Sequence, residues 1–338
     1  MYLRSGPNKD HSAHLYVVKH APKILSEFKG NQGVVQTLNS FVEAKNIPNL
    51  IITGPHGVGK SLLVKLLVKE YLGGEKYFKQ GLLEIYGSLS RSKDVVSEKQ
   101  SVKNKQKNFN CANITDFMKC ATNLPDDILK IVVIYEFHQM SAEAQMALRR
   151  IIELNSNRVR FIFVTQDYSQ IIHALQSRCT ILKLQRLDIN EINDILNTIC
   201  VKEGLTLTKE LIELINMNAE GDIRTAVNLL QLLGRTTPNK FYSILGIPEL
   251  SVIKGIAEAC INCHNLAAYR QTKTLLNSGF DIPDIQNLFY KILIDIPEFP
   301  NKNLFLRSLC HDTLIIQECT TETQFYNLIN HLCLINKQ

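Results

Sequence analysis

The sequence predicts an α/β domain built on a parallel sheet, followed by a small and then a larger all-helical region. Three observations point to this. Short, almost continuously apolar runs alternate with helix-period segments over residues 1–186; a glycine-rich loop joins the first of these runs to a helix; and strand-like runs stop at Asp188. Near-continuous apolar strands suit a sheet covered on both faces, and alternation with helices argues for parallel crossovers. The expected boundaries are residues 1–186 for the α/β domain, 187–237 for the small helical domain and 238–338 for the larger one.

In chain order, the first strand is Leu50–Thr53, and Leu62, Leu63, Leu66 and Leu67 then recur at helical spacing. Further strands are expected at Leu82–Tyr86, Lys130–Tyr135, Arg160–Thr165 and Ile181–Gln185. Between the third and fourth, Ser141 can N-cap a helix carrying Ala144, Ala147, Leu148, Ile151 and Ile152. Beyond Asp188, Ile189, Ile192, Ile195, Leu196 and Ile199 keep a helical period, as do Leu211 to Ile215 and Ala226 to Leu233. Thr236-Thr237-Pro238-Asn239 reads as a linker. The last hundred or so residues are helical again, punctuated by Gly279 and Pro283.

The loop is Gly54-Pro55-His56-Gly57-Val58-Gly59-Lys60-Ser61, which fits G-x-x-x-x-G-K-[ST] in the required strand–loop–helix setting. Its glycines allow backbone N–H groups to turn onto phosphate oxygens, and the helix that follows presents its positive dipole end. Lys60 is expected to reach the β and γ phosphates of ATP, and the Ser61 hydroxyl to take one position on Mg2+. Such a site needs a second apolar strand ending in Asp. The candidate, Ile131-Val132-Val133-Ile134-Tyr135-Glu136, carries tyrosine there, with Glu136 in the position of the water-activating carboxylate. A phenol is no substitute for a carboxylate in accepting from magnesium-bound water. The expectation is a chain that binds ATP and hydrolyses it poorly or not at all.

Composition narrows the class. The chain has 338 residues, 45% of them apolar, enough for two or three cores. No apolar run approaches the length of a membrane span, and Met1 to His14 lacks the apolar stretch of a secretory signal. Nine cysteines without a framework predict reduced thiols in a nuclear or cytosolic compartment. Cys260-x-x-Cys263 with His264 is half a zinc pattern, but no second pair lies at metal spacing, so thiols on adjacent helix turns are expected; Cys111 and Cys120 are read likewise. The net charge of +6 is concentrated between Lys93 and Lys107, either a face for nucleic acid or a solvated loop.

Several segments together resemble one family, the small subunits of replication factor C, which are AAA+ ATPases. Tyr16-Val-Val-Lys-His-Ala-Pro-Lys23 resembles the opening W-V-E-K-Y-R-P-K, and Asn46-Ile-Pro-Asn-Leu50 resembles N-I-P-H-L. Leu83 to Val96 resembles L-E-L-N-A-S-D-D-R-G-I-D-V-V, and Ser141-Ala-Glu-Ala-Gln-Met-Ala-Leu-Arg-Arg150 resembles T-A-D-A-Q-N-A-L-R-R. Ser177-Arg178-Cys179 carries the S-R-C box, Glu220 to Leu230 resembles the second-sensor helix, and Leu276 to Ile285 resembles a collar segment.

The resemblance implies an AAA+ P-loop domain, a helical lid and a helical collar. It also implies a place in a heteropentameric ring, with other AAA+ clamp-loader subunits as partners. That ring opens a ring-shaped sliding clamp and loads it at primer–template DNA, working in the nucleus, or in the cytoplasm for a virus-encoded protein. Residues implied to line the ATP site are Val17, Gly54, Pro55, His56, Gly57, Val58, Gly59, Lys60, Ser61, Leu62, Gln166 as first sensor and Arg224 as lid arginine, with Ser61 on the metal. Glu136 and Arg178 are implied to be catalytic, Arg178 as a finger reaching a neighbour's ATP; Arg91 and Arg149 are implied to face DNA phosphates.

The chain departs from the family pattern at Tyr135 for Asp, Gln166 for Asn, His138 for the last acid of D-E-A-D and Ala21 for the arginine of Y-R-P-K. These departures weaken its own site and leave the role in trans intact. They match the degenerate-site subunits of such rings, whereas the collar matches the active ones, so both ring positions stay open. Two alternatives remain at this level. One is a fully active ATPase subunit, with magnesium held by Ser61 and the phosphates alone; the other is a homo-oligomeric AAA+ replication or repair factor.

Overall fold

A computed structural model of the chain describes residues 15–87, 114–119, 125, 128–206, 208–236, 241–295, 302–318 and 321–335. Arg91, the basic stretch from Lys93 to Lys107, Cys111, Cys120 and Thr237 to Asn239 lie outside the described residues. The chain divides into two compact units, Met1–Gly234 and Arg235–Gln338.

The first unit is built on five parallel strands, β1 (Leu50–Thr53), β2 (Leu82–Tyr86), β3 (Lys130–Tyr135), β4 (Val159–Thr165) and β5 (Thr180–Lys183), in the order β2-β3-β4-β1-β5. In its register Thr53 pairs with Thr165, and Tyr86 with Tyr135. The carboxyl ends of the strands therefore gather at one rim, where open α/β sheets bind ligands. Its helices are α1 (Tyr16–Lys19), α2 (Gln32–Glu43), α3 (Lys60–Tyr71), α4 (Glu75–Gly81), α5 (Ile114–Lys119), α6 (Ala142–Asn155), α7 (His173–Gln176), α8 (Ile189–Glu203), α9 (Lys209–Ala219) and α10 (Ile223–Leu233).

Side chains alternate between two cores because the strand period is two. Leu50, Ile52, Ile131, Val133 and Tyr135 pack with Leu63, Leu66 and Leu67 of α3. Ile51, Val132, Ile134, Phe161 and Phe163 pack on the other face with Ala144, Leu148 and Ile152 of α6. Tyr135 thus stands on the same face as the helix that begins at Lys60.

The strands expected at Leu50–Thr53, Leu82–Tyr86 and Lys130–Tyr135 form with those bounds, while the other two shift. β4 starts one residue earlier, at Val159, which pairs with Lys130. β5 spans Thr180–Lys183 rather than Ile181–Gln185: Thr180 N donates to Asn49 O at 2.8 Å, while Gln185 N donates to the Asn31 side chain and leaves the ladder. Ser141 caps α6 by accepting from Ala144 N at 3.3 Å. On α8, Ile192, Leu196 and Ile199 are buried, but Ile189 is 62% exposed because it opens the helix just after the Asp188 cap.

The second unit is all helical: α11 (Phe241–Leu245), α12 (Leu250–Ile261), α13 (Asn265–Asn277), α14 (Ile282–Asp295), α15 (Lys302–Glu318) and α16 (Glu322–Ile335). Ile253, Ile256, Phe289, Leu293, Phe305, Phe325 and Leu328 supply large buried side chains. Buried Asp312 of α15 pairs with His331 Nδ1 of α16 at 3.1 Å. The two cysteines of the C-x-x-C do not share a helix as expected. Cys260 is in α12, but Cys263 sits past its end with φ +59°, in the turn to α13. Cys260 instead meets Cys333, whose hydrogen bond, with burial, pushes the Cys260 thiol above its ordinary value. Among the described residues no group of three or more His, Cys, Asp or Glu is placed to hold a metal ion. No described helix is long and apolar enough to cross a membrane.

Candidate functional site

The P-loop leaves β1 at Thr53 and closes on α3 through three glycines with positive φ. At Gly54 (φ +154°) a Cβ would fall 2.5 Å from the Leu184 carbonyl, and at Gly57 (φ +72°) it would fall 1.9 Å from the Asp222 carboxylate. Side chains are thus excluded where the loop must turn, and Asp222 is brought to its edge. Asp222 N-caps α10 by accepting from Arg224 N at 2.8 Å and Thr225 N at 3.1 Å. The same residue therefore orients Arg224 and borders the loop, a role suggested in sequence only by its position just before a helix.

Lys60 Nζ donates to the carbonyls of Gly54 at 2.7 Å and Pro55 at 2.5 Å. Burial, and then the charge of Arg224, lowers its pKa to about 8 against the opposing pull of Asp222. A phosphate group drawn to Lys60 favours the charged form. Above pH 8 binding must therefore take up a proton, and affinity for a nucleoside triphosphate should fall up to about tenfold per pH unit. Calorimetric titration of the chain with ATP from pH 7 to 9.5 checks this; a flat profile removes Lys60 from phosphate contact.

Around the loop lies a cavity of about 920 Å3. Of the residues implied for the ATP site, Val17, His56 through Leu62, Gln166 and Arg224 line it, as does Glu136. Gly54 and Pro55 are not among the lining residues; their carbonyls hold Lys60. Three contacts not foreseen from sequence join the N-terminal strap, the segment from Tyr16 to Glu27, to the helices α8 and α10. His20 Nε2 lies 2.6 Å and Lys19 Nζ 2.5 Å from Glu203 Oε1 of α8, and Tyr16 N donates to Gln231 Oε1 of α10 at 2.9 Å.

The side of the cavity at Tyr135 departs from a P-loop metal site. Tyr135, 4% exposed, donates its hydroxyl to Glu84 Oε1 at 2.8 Å and stacks on Tyr86, with centroids 5.2 Å apart and planes 26° apart. Burial, then the Glu84 charge, pushes the phenol above its ordinary pKa, so it stays neutral. Glu136 follows in the left-handed region at φ +51°, costing roughly 1 kcal/mol, and lies exposed on the cavity. His138 stands 3.5 Å from Thr165 Oγ1. Ser61 and the Glu136 carboxylate line the cavity as oxygens a magnesium ion could use, but the acid expected at position 135 is missing, which leaves the usual donor set incomplete.

Arg178 and Arg149 stand apart from this cavity and meet at one carboxylate. Glu153 Oε1 takes Arg178 Nη2 at 2.6 Å and Arg149 Nε at 3.3 Å. The Arg149 guanidinium, then that of Arg178, holds the carboxyl below the usual carboxylate range. Arg178 Nη1 also donates to Ala174 O at 2.7 Å. Buried Gln145 of α6 steadies the segment leading there, accepting from Ile172 N at 3.0 Å and donating to Gln170 O at 3.3 Å. Burial pushes the neighbouring Cys179 thiol up to about 12, so it packs rather than reacts.

A family model described as "DNA polymerase III, delta subunit" matches residues 30–188. The chain is 31% identical to replication factor C subunit 4 of Schizosaccharomyces pombe over 310 residues, covering 90% of this chain and 86% of that protein. This chain belongs to the replication factor C small-subunit family. It is also 30% identical to a probable replication factor C subunit 2 of Dictyostelium discoideum, over 95% of this chain and 92% of that one. Against the replication factor C small subunit of Staphylothermus marinus the identity is 31%, over 80% of this chain and 78% of that one. Among solved structures, the Holliday junction branch migration motor RuvB of Thermotoga maritima matches with a TM-score of 0.50 at 17% identity, covering 71% of this chain and 80% of that one. At that identity the likeness carries the fold alone. The replication factor C assignment accounts for the P-loop, the S-R-C segment and the helical second unit together.

Proposed function

We propose that this chain is a clamp-loader small subunit that binds ATP in the cavity around Lys60, hydrolyses it poorly, and supplies Arg178 to the ATP of an adjacent subunit in a heteropentameric ring. The observation that carries this reading is the separation of the two functions within the chain. Arg178 lies outside the chain's own cavity, while Tyr135 closes the acid position inside it. An arginine beside a transferring phosphoryl group stabilises charge that develops there, and a neighbouring molecule can supply it. Lid and collar roles for residues 187–237 and 238–338, and work in the nucleus on primer–template DNA, belong to the same proposal.

Native mass spectrometry of the complex that copurifies with this chain from its own source tests the assembly. Four further AAA+ chains, one copy each, are expected; a monomer or a homo-oligomer overturns the ring and leaves Arg178 without its neighbour.

On the DNA side, Arg149 is proposed to contact backbone phosphates, a contact that positions without reading sequence. Such contacts release counterions, so the logarithm of DNA affinity should fall with the logarithm of salt by about 0.9 for each phosphate neutralised. A salt titration of DNA-stimulated turnover checks it, and an unchanged slope after Arg149→Ala takes this residue out of the DNA path.

A further inference from the structure

We infer that the cavity accepts its nucleoside di- or triphosphate without a divalent cation, the phosphate charge being met by side chains. This rests on the reading of the cavity as a nucleotide site and specifies the form of ligand it takes.

The first argument is positional. In β3, Ile131, Val133 and Tyr135 share the face that packs on α3, so Tyr135 is the residue set beside the helix carrying Lys60 and Ser61. A carboxylate there would accept from metal-bound water. Tyr135 has one hydrogen, and it is committed to Glu84 on β2. The ring is fixed by its stack on Tyr86, and Glu84 is not among the cavity-lining residues. Phenolate oxygen does ligate metals, but this phenol is held neutral. The substitution therefore exchanges a charged acceptor for a neutral phenol pinned to β2, rather than relocating the acid one strand over.

The second argument is charge. Among the described residues that line the cavity are seven lysine and arginine side chains, at positions 19, 23, 29, 60, 65, 202 and 224, against two carboxylates, Glu27 and Glu136. Lys19 is tied to Glu203, and Glu27 accepts from Lys23 N in the strap. The remaining excess is cationic even with the Asp222 carboxylate at the edge of the loop counted against it. A free nucleotide carries two more negative charges than its magnesium complex. It meets the cationic excess of the lining more fully, which suits the metal-free form.

The test is isothermal titration of the full chain with ATP and with ADP at constant ionic strength, once in magnesium and once in EDTA. The wild type and Tyr135→Phe are expected to bind with Kd values within about threefold between the two conditions, while Tyr135→Asp should gain at least about tenfold from magnesium. Magnesium tightening the wild type about tenfold or more would overturn the inference and leave the nucleotide site standing. Absence of binding in both conditions would overturn the nucleotide reading and this inference together. Should Tyr135→Asp not fold, the wild-type comparison alone decides.

Discussion

Alanine at Arg178 is expected to remove most of the ATP turnover that DNA elicits from the assembled complex. Lys60→Ala in the same chain should leave that turnover nearly unchanged. The asymmetry follows from where the two groups stand. An arginine that meets a neighbour's transferring phosphoryl is worth roughly three to five orders of magnitude at the site it serves. The complex should therefore lose whatever flux depends on that one interface. Lys60 serves a site whose acid position is filled by a neutral phenol, so little flux is available there to lose. Structural damage is not the expected cause of the Arg178 effect. Its contacts are an ion pair with Glu153, itself 42% exposed, and a carbonyl one turn back, both open to solvent and screened by it. Steady-state ATPase of the reconstituted complex, with and without primer–template DNA, checks the pair of variants. Equal and large losses from both would mean that this chain's own site turns over, and the proposal would fall.

Much of this architecture was legible because its signals are local. Three strands end where their apolar runs end, and the glycine loop needs positive φ at the positions where glycine stands. Ser141 caps the helix it precedes. What sequence reasoning missed depends on pairs far apart in the chain. Glu84 and Tyr135 are separated by 51 residues, and His20 and Glu203 by 183. No periodicity links such residues; only the β2–β3 register and the packing of the strap on α8 bring them together. The β5 error has the same origin. Gln185 continues a run that looks like a strand, but a side chain 154 residues earlier takes its N–H. The Cys260 and Cys263 pair was misread for a different reason: C-x-x-C spacing is helical only where the helix continues, and α12 ends at Ile261.

The isolated chain gives the second large effect, again at Lys60. Alanine there should weaken ATP by at least about a hundredfold, because two hydrogen bonds from a cation to phosphate are each worth about 1.5–3 kcal/mol and 1.4 kcal/mol is a factor of ten. Folding should not suffer with it. The Lys60 pKa falls from 10.5 in a free side chain to about 8 in the folded protein, so the charged form is disfavoured by folding. For a base, that sign means the penalty is fully present below pH 8 and is relieved as pH rises from 8 towards 10.5. At pH 7 the variant that lacks the charge should have a Tm no lower than the wild type, and any advantage should shrink towards pH 10. Thermal melts at both pH values, run beside ATP titrations, separate the two effects. A collapsed Tm would show that the bonds to Gly54 and Pro55 hold the loop together. An unchanged Tm with lost affinity assigns Lys60 to the ligand. Paired with an intact complex ATPase, it would also make this cavity one that holds nucleotide without spending it.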